Sequence, residues 1–260
     1  MTIGSYLLAS FLAALLFQTA LFAVALRRKD NSVADIGWGI GFLVVWAVTF
    51  LLEPGGTPLQ LLAGGLVSVW GLRLSAHVFL RNRGRGEDFR YAQWRRRWGR
   101  TFILRSYLQV FLLQGIFLGL IATPVVLINR APSAAIGGPA VAGGVIWLAG
   151  FVFEAVGDGQ LKRFRREPAN RGRIMTRGLW RLSRHPNYFG ESLMWWGLAV
   201  LGLSVPGGWI GLVSPLVLTF LLTKVSGIPL LEKKYRGNPE FEEYARRTNA
   251  FVPGPAKRSP

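Results

Sequence analysis

The feature that most constrains this chain is a set of long apolar segments separated by strongly basic loops. Although 51% of the residues are hydrophobic, the net charge is +18. A polytopic membrane protein combines the two, because its spans carry the apolar residues and its loops carry the charge. Seven segments approach the ~20 residues that cross ~30 Å of hydrocarbon. They are residues 3–26, 33–52, 58–80, 102–128, 136–157, 188–204 and 207–231. The sequence therefore predicts an all-α integral membrane protein with seven transmembrane helices.

The basic residues predict the orientation of these spans. Of the 31 lysines and arginines, all but Arg130 fall in alternate loops and the tail, within residues 27–29, 73–105, 162–184 and 224–258. Basic residues concentrate on the cytoplasmic side of a membrane. We therefore expect the N-terminus outside and the C-terminus in the cytoplasm. We also expect any active site to face the cytoplasm.

The basic loops have two interpretations. They can serve only to orient the spans and to attract anionic lipid headgroups. They can also form a folded cytosolic surface for an anionic cofactor, which the interleaved Gly, Asp, Glu and aromatic residues of 73–105 and 162–184 favour. No nucleic-acid module is recognisable. We expect membrane lipids and no nucleic acid as partners, and no obligate protein partner is indicated.

Composition excludes several kinds of chemistry. The chain contains no cysteine and only two histidines, His77 and His185. Disulfides, cysteine nucleophiles and thiolate metal sites are therefore excluded, and no metal site is predicted. No linker is long enough to separate a second domain, so we expect one integral domain over residues 1–260.

Four charged residues near the end of the fifth predicted span form a candidate nucleotide groove. Glu154, Asp158, Lys162 and Arg165 recur at helical spacing and so share one face of a helix. The carboxylates can accept donors from ribose or adenine, and the basic end can meet phosphate. The alternative is a ladder of ion pairs within the helix, worth roughly 0.3 kcal/mol per pair.

A second polar cluster stands where a basic loop enters the sixth predicted span. Its polar side chains are Arg184, His185, Asn187, Tyr188 and Glu191. Such groups are costly in hydrocarbon unless they are satisfied. Pro186 suits the first position of a helix, which puts Asn187 and Glu191 on one face of its first turns. A carboxamide and a carboxylate placed in this way can bind a primary amide such as nicotinamide. Helix capping by Asn187 is the alternative.

Two further segments carry acidic residues. Asp35 lies just inside the second predicted span, and a lone intramembrane acid is a functional candidate by default. The alternative is that Asp35 caps that helix after Asn31 and Ser32. Residues 87–91 follow a basic run in the loop after the third span. The usual interpretation of such a stretch is a solvated run of charges.

These residues resemble the steroid 5α-reductase family, and its bacterial branch most closely, which implies a location in the bacterial inner membrane. The resemblance covers nearly the whole chain, and the part from 178 to 197 is specific. The segments that carry it are Gly178-Leu179-Trp180, Arg184 to Glu191, Trp195-Trp196-Gly197, Asp35 to Gly39, Glu87 to Tyr91, and the tail from Glu232 to Pro253.

The resemblance implies an activity, and it implies that different parts of the chain bind the substrate and the cofactor. It implies seven transmembrane helices, with an NADPH site covered by cytosolic loops. The reaction would be reduction of a carbon–carbon double bond conjugated to a carbonyl in a steroid-like or other lipid that enters from the bilayer. Residues 1–130 would form the substrate side, and residues 136–260 the cofactor-binding half.

The resemblance also assigns residues to the cofactor. Asn187 and Glu191 match positions that contact the nicotinamide end. Asp158 and Arg165 match positions on the adenosine and phosphate side, and Arg246 resembles a basic tail position near the cofactor. Glu154 stands where the eukaryotic members have an asparagine. With Lys162, Arg184, His185 and Tyr188, these residues complete the predicted cofactor site.

The N-terminal spans depart from the family pattern. The eukaryotic reductases polarise the substrate carbonyl with a glutamate in the second span and a tyrosine at the end of the third, where this chain has Val78. The resemblance implies that Asp35 replaces the glutamate. Tyr91 can replace the tyrosine if its loop folds back. The predicted catalytic residues are therefore Asp35, Tyr91 and Glu191.

Two other functions fit part of the pattern. A membrane methyltransferase of the isoprenylcysteine type has a similar Arg-His-Pro-x-Tyr-x-Gly stretch and uses S-adenosylmethionine. A non-catalytic lipid-binding membrane protein is the alternative from another class. Asn187 together with Glu191, and Asp158 together with Arg165, favour the reductase.

Overall fold

The computed structural model describes residues 1–84, 86–131 and 135–257, so the basic residues Arg85 and Arg258 lie outside the described part. Every regular element in that part is helical. The α-helices are α1 (Ile3–Arg28), α2 (Val33–Leu52), α3 (Pro58–Asn82), α4 (Phe89–Trp98), α5 (Phe102–Ser106), α6 (Leu113–Ile121), α7 (Thr123–Asn129), α8 (Gly138–Arg166), α9 (Pro186–Gly202), α10 (Val213–Phe220), α11 (Ile228–Lys233) and α12 (Pro239–Arg247).

Six helical segments in the described residues are long and apolar enough to cross a membrane. They are α1, α2, α3 and α8, together with the composite helices Phe89–Ile121 and Gly208–Lys233. Large apolar side chains on them, such as Leu16, Leu51 and Val145, are exposed. Exposed apolar surface on this scale is covered when the surrounding medium is hydrocarbon. The six segments therefore agree with an integral membrane protein.

The sixth predicted span, residues 188–204, corresponds to α9 and is not among these six segments. α9 has 17 residues, which extend about 26 Å along the helix axis, less than the ~30 Å of hydrocarbon. A total of seven spans, with α9 as one of them, and the orientation of the chain therefore remain predictions.

The fourth predicted span has different ends from those expected. Its helix begins at Phe89, before the predicted start at 102, and contains a π-helical turn at Tyr107–Leu112. It ends at Ile121, and α7 starts as a separate helix with Pro124 in its first turn. Proline lacks the N–H that would continue the hydrogen bonding of the helix, so the helix is interrupted there.

The helices form two compact units. The first comprises Met1–Ala140 with Ala199–Ser214, and the second comprises Val141–Leu198 with Pro215–Pro260. This division falls close to the predicted border between residues 1–130 and 136–260, except that Ala199–Ser214 joins the first unit. The prediction of a single domain stays a prediction.

In the first unit, α2 and α3 pack with their backbones in contact. A Cβ atom added to Gly39 would lie 2.3 Å from the carbonyl oxygen of Gly71. Small residues allow such an approach, and van der Waals packing then holds helices together in lipid. A buried apolar cluster that includes Leu59, Leu127 and Leu201 lies elsewhere in this unit.

In the second unit, α8 and α9 meet along what we call the glycine seam, formed by Gly150, Gly157, Gly190 and Gly197. A Cβ atom on Gly190 would lie 2.5 Å from both the Glu154 amide nitrogen and the Gly150 carbonyl oxygen. One on Gly197 would lie 2.6 Å from the Trp147 amide nitrogen. The seam therefore fixes α9 closely against α8, and both helices carry predicted site residues.

Candidate functional site

The first unit contains a buried tyrosine hydroxyl bonded to a carboxylate. Tyr91 lies in the first turn of α4 and is 3% exposed. Its hydroxyl donates a 2.7 Å hydrogen bond to Oδ1 of Asp35, in the first turn of α2. The loop thus folds back, as the replacement of the family tyrosine by Tyr91 requires. Asp35 is engaged in this contact, and Ser32, at the N-cap of α2, makes no side-chain cap.

Arg90 joins the same carboxylate to a second one. Its guanidinium donates to Oδ2 of Asp35 and, at 2.9 Å, to Oδ1 of Asp88. Asp88 caps α4 by accepting from the Arg90 backbone N–H, and its own N–H donates to Ser32 Oγ at 2.8 Å. Burial alone would raise the pKa of Asp88, but the hydrogen bonds from Arg90 hold it below the ordinary value.

The interpretation of residues 87–91 as a solvated charge run is wrong. Glu87 accepts hydrogen bonds from the Asn31 backbone N–H at 2.9 Å and from the Arg95 guanidinium at 2.8 Å. Asn31 in turn donates through its side chain to Ser106 Oγ. The Asn31 backbone N–H thus binds the Glu87 carboxylate, and the Ser32 hydroxyl oxygen accepts from the Asp88 backbone N–H. Charge spacing does not reveal these tertiary contacts. We call the set Asp35, Asp88, Arg90 and Tyr91 the N-terminal cluster.

The second unit brings two of the predicted cofactor residues into contact. The Asn187 side-chain amide donates to Oδ1 of Asp158 at 3.2 Å. Glu154, Asp158 and Glu191 are all buried. The glycine seam explains the pairing, because a Cβ on Gly157 would lie 3.4 Å from the Asn187 backbone nitrogen. With no side chain at this position, the first turn of α9 lies directly against α8.

Arg184 donates four hydrogen bonds from its guanidinium to other parts of the chain. Its guanidinium donates to both carboxylate oxygens of Glu232, at 2.8 and 3.1 Å, and to the backbone oxygens of Ala245 and Thr248. Its side chain is 12% exposed. His185 Nε2 lies 3.0 Å from the same Glu232 carboxylate. We call Arg184, His185 and Glu232 the tail cluster, since it ties the loop before α9 to the C-terminal segment.

The loop before α9 is held on its other side as well. The Trp180 indole N–H donates to the Gly157 carbonyl at 3.0 Å, and the Tyr244 hydroxyl donates to the Trp180 carbonyl. Ser183 donates to the Phe251 carbonyl at 2.8 Å. Burial raises the pKa of Tyr244 well above its ordinary value, so this hydroxyl stays protonated and remains a donor.

Of the other predicted cofactor residues, three are exposed and one contacts the tail cluster. Lys162 and Arg165 are exposed on α8. The Tyr188 ring stacks on His185, with ring centroids 5.6 Å apart. Arg246 is exposed and forms an ion pair with Glu243 in α12. The cofactor roles of all these residues stay predictions.

Two residues that organise these clusters were not predicted from the sequence. Glu232 lies within the similar tail segment, and Arg90 directly precedes the predicted residue Tyr91, but neither was singled out. Glu232 is the first acid after Glu191, in an apolar and basic stretch. That isolation was the available signal, because a carboxylate in such surroundings needs a cationic partner.

Comparison with known proteins gives a family but no function. No curated protein and no solved structure matches this chain. One family model matches residues 21–248, and its description is "Protein of unknown function (DUF1295)". The match covers most of the chain and includes both clusters. The protein is therefore a member of the DUF1295 family.

Proposed function

We propose that this protein is a membrane-embedded, NADPH-dependent reductase of a carbon–carbon double bond conjugated to a carbonyl in a lipid substrate. The observation that carries the proposal is the hydrogen bond between Tyr91 and Asp35. A buried phenol bonded to a carboxylate is a proton donor held in place. Asp35 lies in the second helix, as the resemblance to the 5α-reductases implies, and Tyr91 reaches it from α4 instead of from the end of the third helix.

The chemistry at the carbonyl follows from this geometry. When the β-carbon receives hydride, negative charge grows on the carbonyl oxygen, and a positioned O–H group lowers that barrier. The Tyr91 hydroxyl has one hydrogen, which points to Asp35. If that hydrogen turns to a substrate oxygen, Asp35 keeps its contact with Arg90. The carboxylate therefore stays paired while Tyr91 acts as the donor.

The donor set of the second unit fits the nicotinamide end of NADPH. A primary amide offers two N–H donors and one carbonyl acceptor. The carboxylates of Asp158 and Glu191 are acceptors, and the Asn187 amide has both a donor and an acceptor. Bound NADPH would supply the hydride. The exposed Lys162 and Arg165, on the same face of α8 as Asp158, suit its phosphates.

Cofactor binding is the first test. The thermal midpoint of detergent-purified protein would be measured with NADPH, NADH and S-adenosylmethionine. A ligand at about 100 times its Kd adds roughly 2.7 kcal/mol of stability, so stabilisation by NADPH is expected. Stabilisation by S-adenosylmethionine alone would instead favour the methyltransferase. No stabilisation by any of the three would favour the non-catalytic lipid-binding protein.

Matched variants locate the cofactor site. Asn187→Ala and Glu191→Ala should each abolish most of the NADPH stabilisation. Glu242→Ala removes an exposed carboxylate from α12 and should leave it unchanged. If both site variants keep wild-type NADPH affinity, the cofactor assignment is wrong.

Transfer of a labelled hydride tests the reaction itself. Protein would be incubated with NADPH deuterated at the reactive carbon and with a panel of steroid, polyprenoid and fatty-acyl enones. Mass spectrometry should find one deuterium at the β-carbon of a saturated product. NADPH binding without transfer to any enone would contradict the reaction while leaving the cofactor site in place.

A further inference from the structure

The second unit contains an open groove that the proposed reaction does not use. Its volume is about 520 Å³, within the range of small-molecule sites. Val156 and Gln160 of α8 line one wall, and Arg177 and Arg181 belong to the opposite wall beside the helical turn Gly178–Arg181. The groove thus joins apolar, amide and guanidinium groups.

The groove is held in shape by hydrogen bonds from its own wall. The Gln160 side-chain oxygen accepts from the Leu179 backbone N–H at 3.0 Å. Gly178 has a φ of +62° and lies so close that a Cβ there would be 2.5 Å from Gln160 Nε2. Leu179 and Leu182 add apolar lining. The turn that carries both arginines is therefore fixed to α8.

An exposed apolar stripe on α8 leads into this groove. Five apolar side chains on it are between 42 and 64% exposed, and they recur at helical spacing. They are Val141, Val145, Leu148, Val152 and Val156. From Val141 to Val156 the stripe is about 22 Å long, more than the ~15 Å of hydrocarbon in one leaflet. We call it the α8 stripe.

The groove faces away from the predicted cofactor residues of the same helix. Successive residues of an α-helix are about 100° apart, so Val156 lies about 200° from Glu154 and Gln160 about 200° from Asp158. Glu154, Asp158 and Arg165 share the other side of α8. A ligand in the groove is therefore separate from one that contacts Asp158.

The charge of the groove selects an anion. Arg177 and Arg181 are exposed, and neither forms an ion pair with a residue in the described part of the chain. Guanidinium groups bind phosphate oxygens in a two-pronged geometry. An exposed apolar stripe that ends at two such groups matches an amphiphile with an anionic head.

We propose that this groove binds the phosphate headgroup of an anionic membrane lipid, with an acyl chain along the α8 stripe. The group that the groove would recognise is a phosphate monoester or diester, which a soluble metabolite can also carry. The stripe favours the lipid, since a soluble phosphate leaves it unused. This inference does not rest on the proposed reductase activity.

Native mass spectrometry of the full chain in detergent tests the proposal. The protein would be equilibrated with equal amounts of phosphatidylglycerol and phosphatidylcholine, and the bound lipids would be counted. Phosphatidylglycerol should predominate. Arg177→Ala with Arg181→Ala should weaken its binding roughly thirtyfold, because each basic residue near a membrane surface contributes about five- to sixfold.

A matched double variant controls for total charge. Arg171→Ala with Arg236→Ala removes the same charge from two exposed positions that do not line the groove. It should change phosphatidylglycerol binding by less than about twofold. Equal losses in the two double variants would overturn the site, because the lipid would then respond to surface charge in general.

Two further arms separate the sources of phosphate. Inorganic phosphate and glycerol 3-phosphate at millimolar concentration should not displace phosphatidylglycerol. Full displacement by either would overturn the lipid assignment in favour of a soluble phosphate. NADPH stabilisation should persist in the Arg177/Arg181 double variant. Its loss would overturn the proposal by assigning these arginines to the cofactor, whereas failure of NADPH to bind the wild type leaves the lipid result standing.

Discussion

The N-terminal cluster and the tail cluster contain similar groups but differ in how their hydrogen-bond donors are used. In each cluster, a carboxylate forms hydrogen bonds with an arginine and with a second polar side chain. Arg90 and Tyr91 bind Asp35, while Arg184 and His185 bind Glu232. The Arg184 guanidinium also donates to two backbone carbonyls. Four of its five N–H donors therefore bind other parts of the same chain.

The difference lies in the hydroxyl. The Tyr91 proton can turn from Asp35 to another acceptor, and Asp35 then keeps Arg90 as a partner. In the tail cluster, removal of Glu232 leaves the largely buried Arg184 without its carboxylate. Similar components thus give one cluster suited to transferring a proton and one suited to fixing a loop. Variants in each should therefore affect different quantities.

The largest expected effect is on turnover in the N-terminal cluster. Tyr91→Phe keeps the ring and removes the hydroxyl, so the rate of deuteride transfer to the enone substrate should fall 10²- to 10⁴-fold. The thermal midpoint should fall by only a few degrees, because a hydrogen bond to a charged group contributes about 1.5 kcal/mol or somewhat more and Asp35 keeps Arg90 as a partner. A variant that loses stability but keeps its turnover would reverse the comparison.

The largest expected effect on stability is in the tail cluster. Glu232→Ala leaves the Arg184 charge partly buried and without its carboxylate, which costs about 2–3 kcal/mol. The thermal midpoint in detergent should fall by roughly 5–10 °C. Glu243→Ala removes an exposed carboxylate that also pairs with arginine, and should leave the midpoint nearly unchanged. Equal midpoints for the two variants would contradict the structural role of Glu232.

An effect of similar or smaller size is expected in the glycine seam that supports the second unit. Gly190→Ala places a methyl group against the backbone of α8, and such overpacking costs about 1–3 kcal/mol. Gly159→Ala is the control, because nothing lies within 4 Å of its added Cβ. It should stabilise α8 by up to about 1 kcal/mol. Opposite shifts of the thermal midpoint are expected, and shifts of the same sign would argue against close backbone packing at Gly190.

The smallest effect concerns acid stability of the N-terminal cluster. Because the pKa of Asp88 is lowered in the fold, its contribution is complete above the ordinary value of 3.8 and is lost as pH falls through the lower one. Asp88→Asn keeps the helix cap but removes this charge. At neutral pH it should cost less than about 1 kcal/mol, since Asp88 is only half-buried. Below about pH 4 the thermal midpoints of the two proteins should converge; a constant gap would argue against the Asp88–Arg90 pair.

The long helices could be predicted from the sequence because each apolar run carries its own signal. The contact between Tyr91 and Asp35 could not, since 56 positions separate them and the fold-back depends on Asn31 and Ser32. Asn187 and Asp158 were each predicted, but only the glycine seam explains why they meet. These parts of the site depend on tertiary contacts rather than on local pattern.

At Arg184 the local sequence pattern indicates a ligand, whereas the structure shows a contact within the chain. An arginine beside a helix N-terminus favours an anionic ligand in sequence terms. In the structure a carboxylate of the chain itself supplies the anion, 48 positions further on. The sequence indicates that Arg184 needs an anionic partner but does not identify Glu232 as that partner, because no periodic pattern in the tail places Glu232 beside Arg184.

The tail cluster also sets an order of events during synthesis. The acceptors of the Arg184 guanidinium follow it by 48 to 64 positions. At about 5–20 residues per second, the last of them leaves the ribosome roughly 3–13 seconds after Arg184. During that interval the arginine lacks these acceptors, so the loop before α9 reaches its final position only after the C-terminal segment has been made.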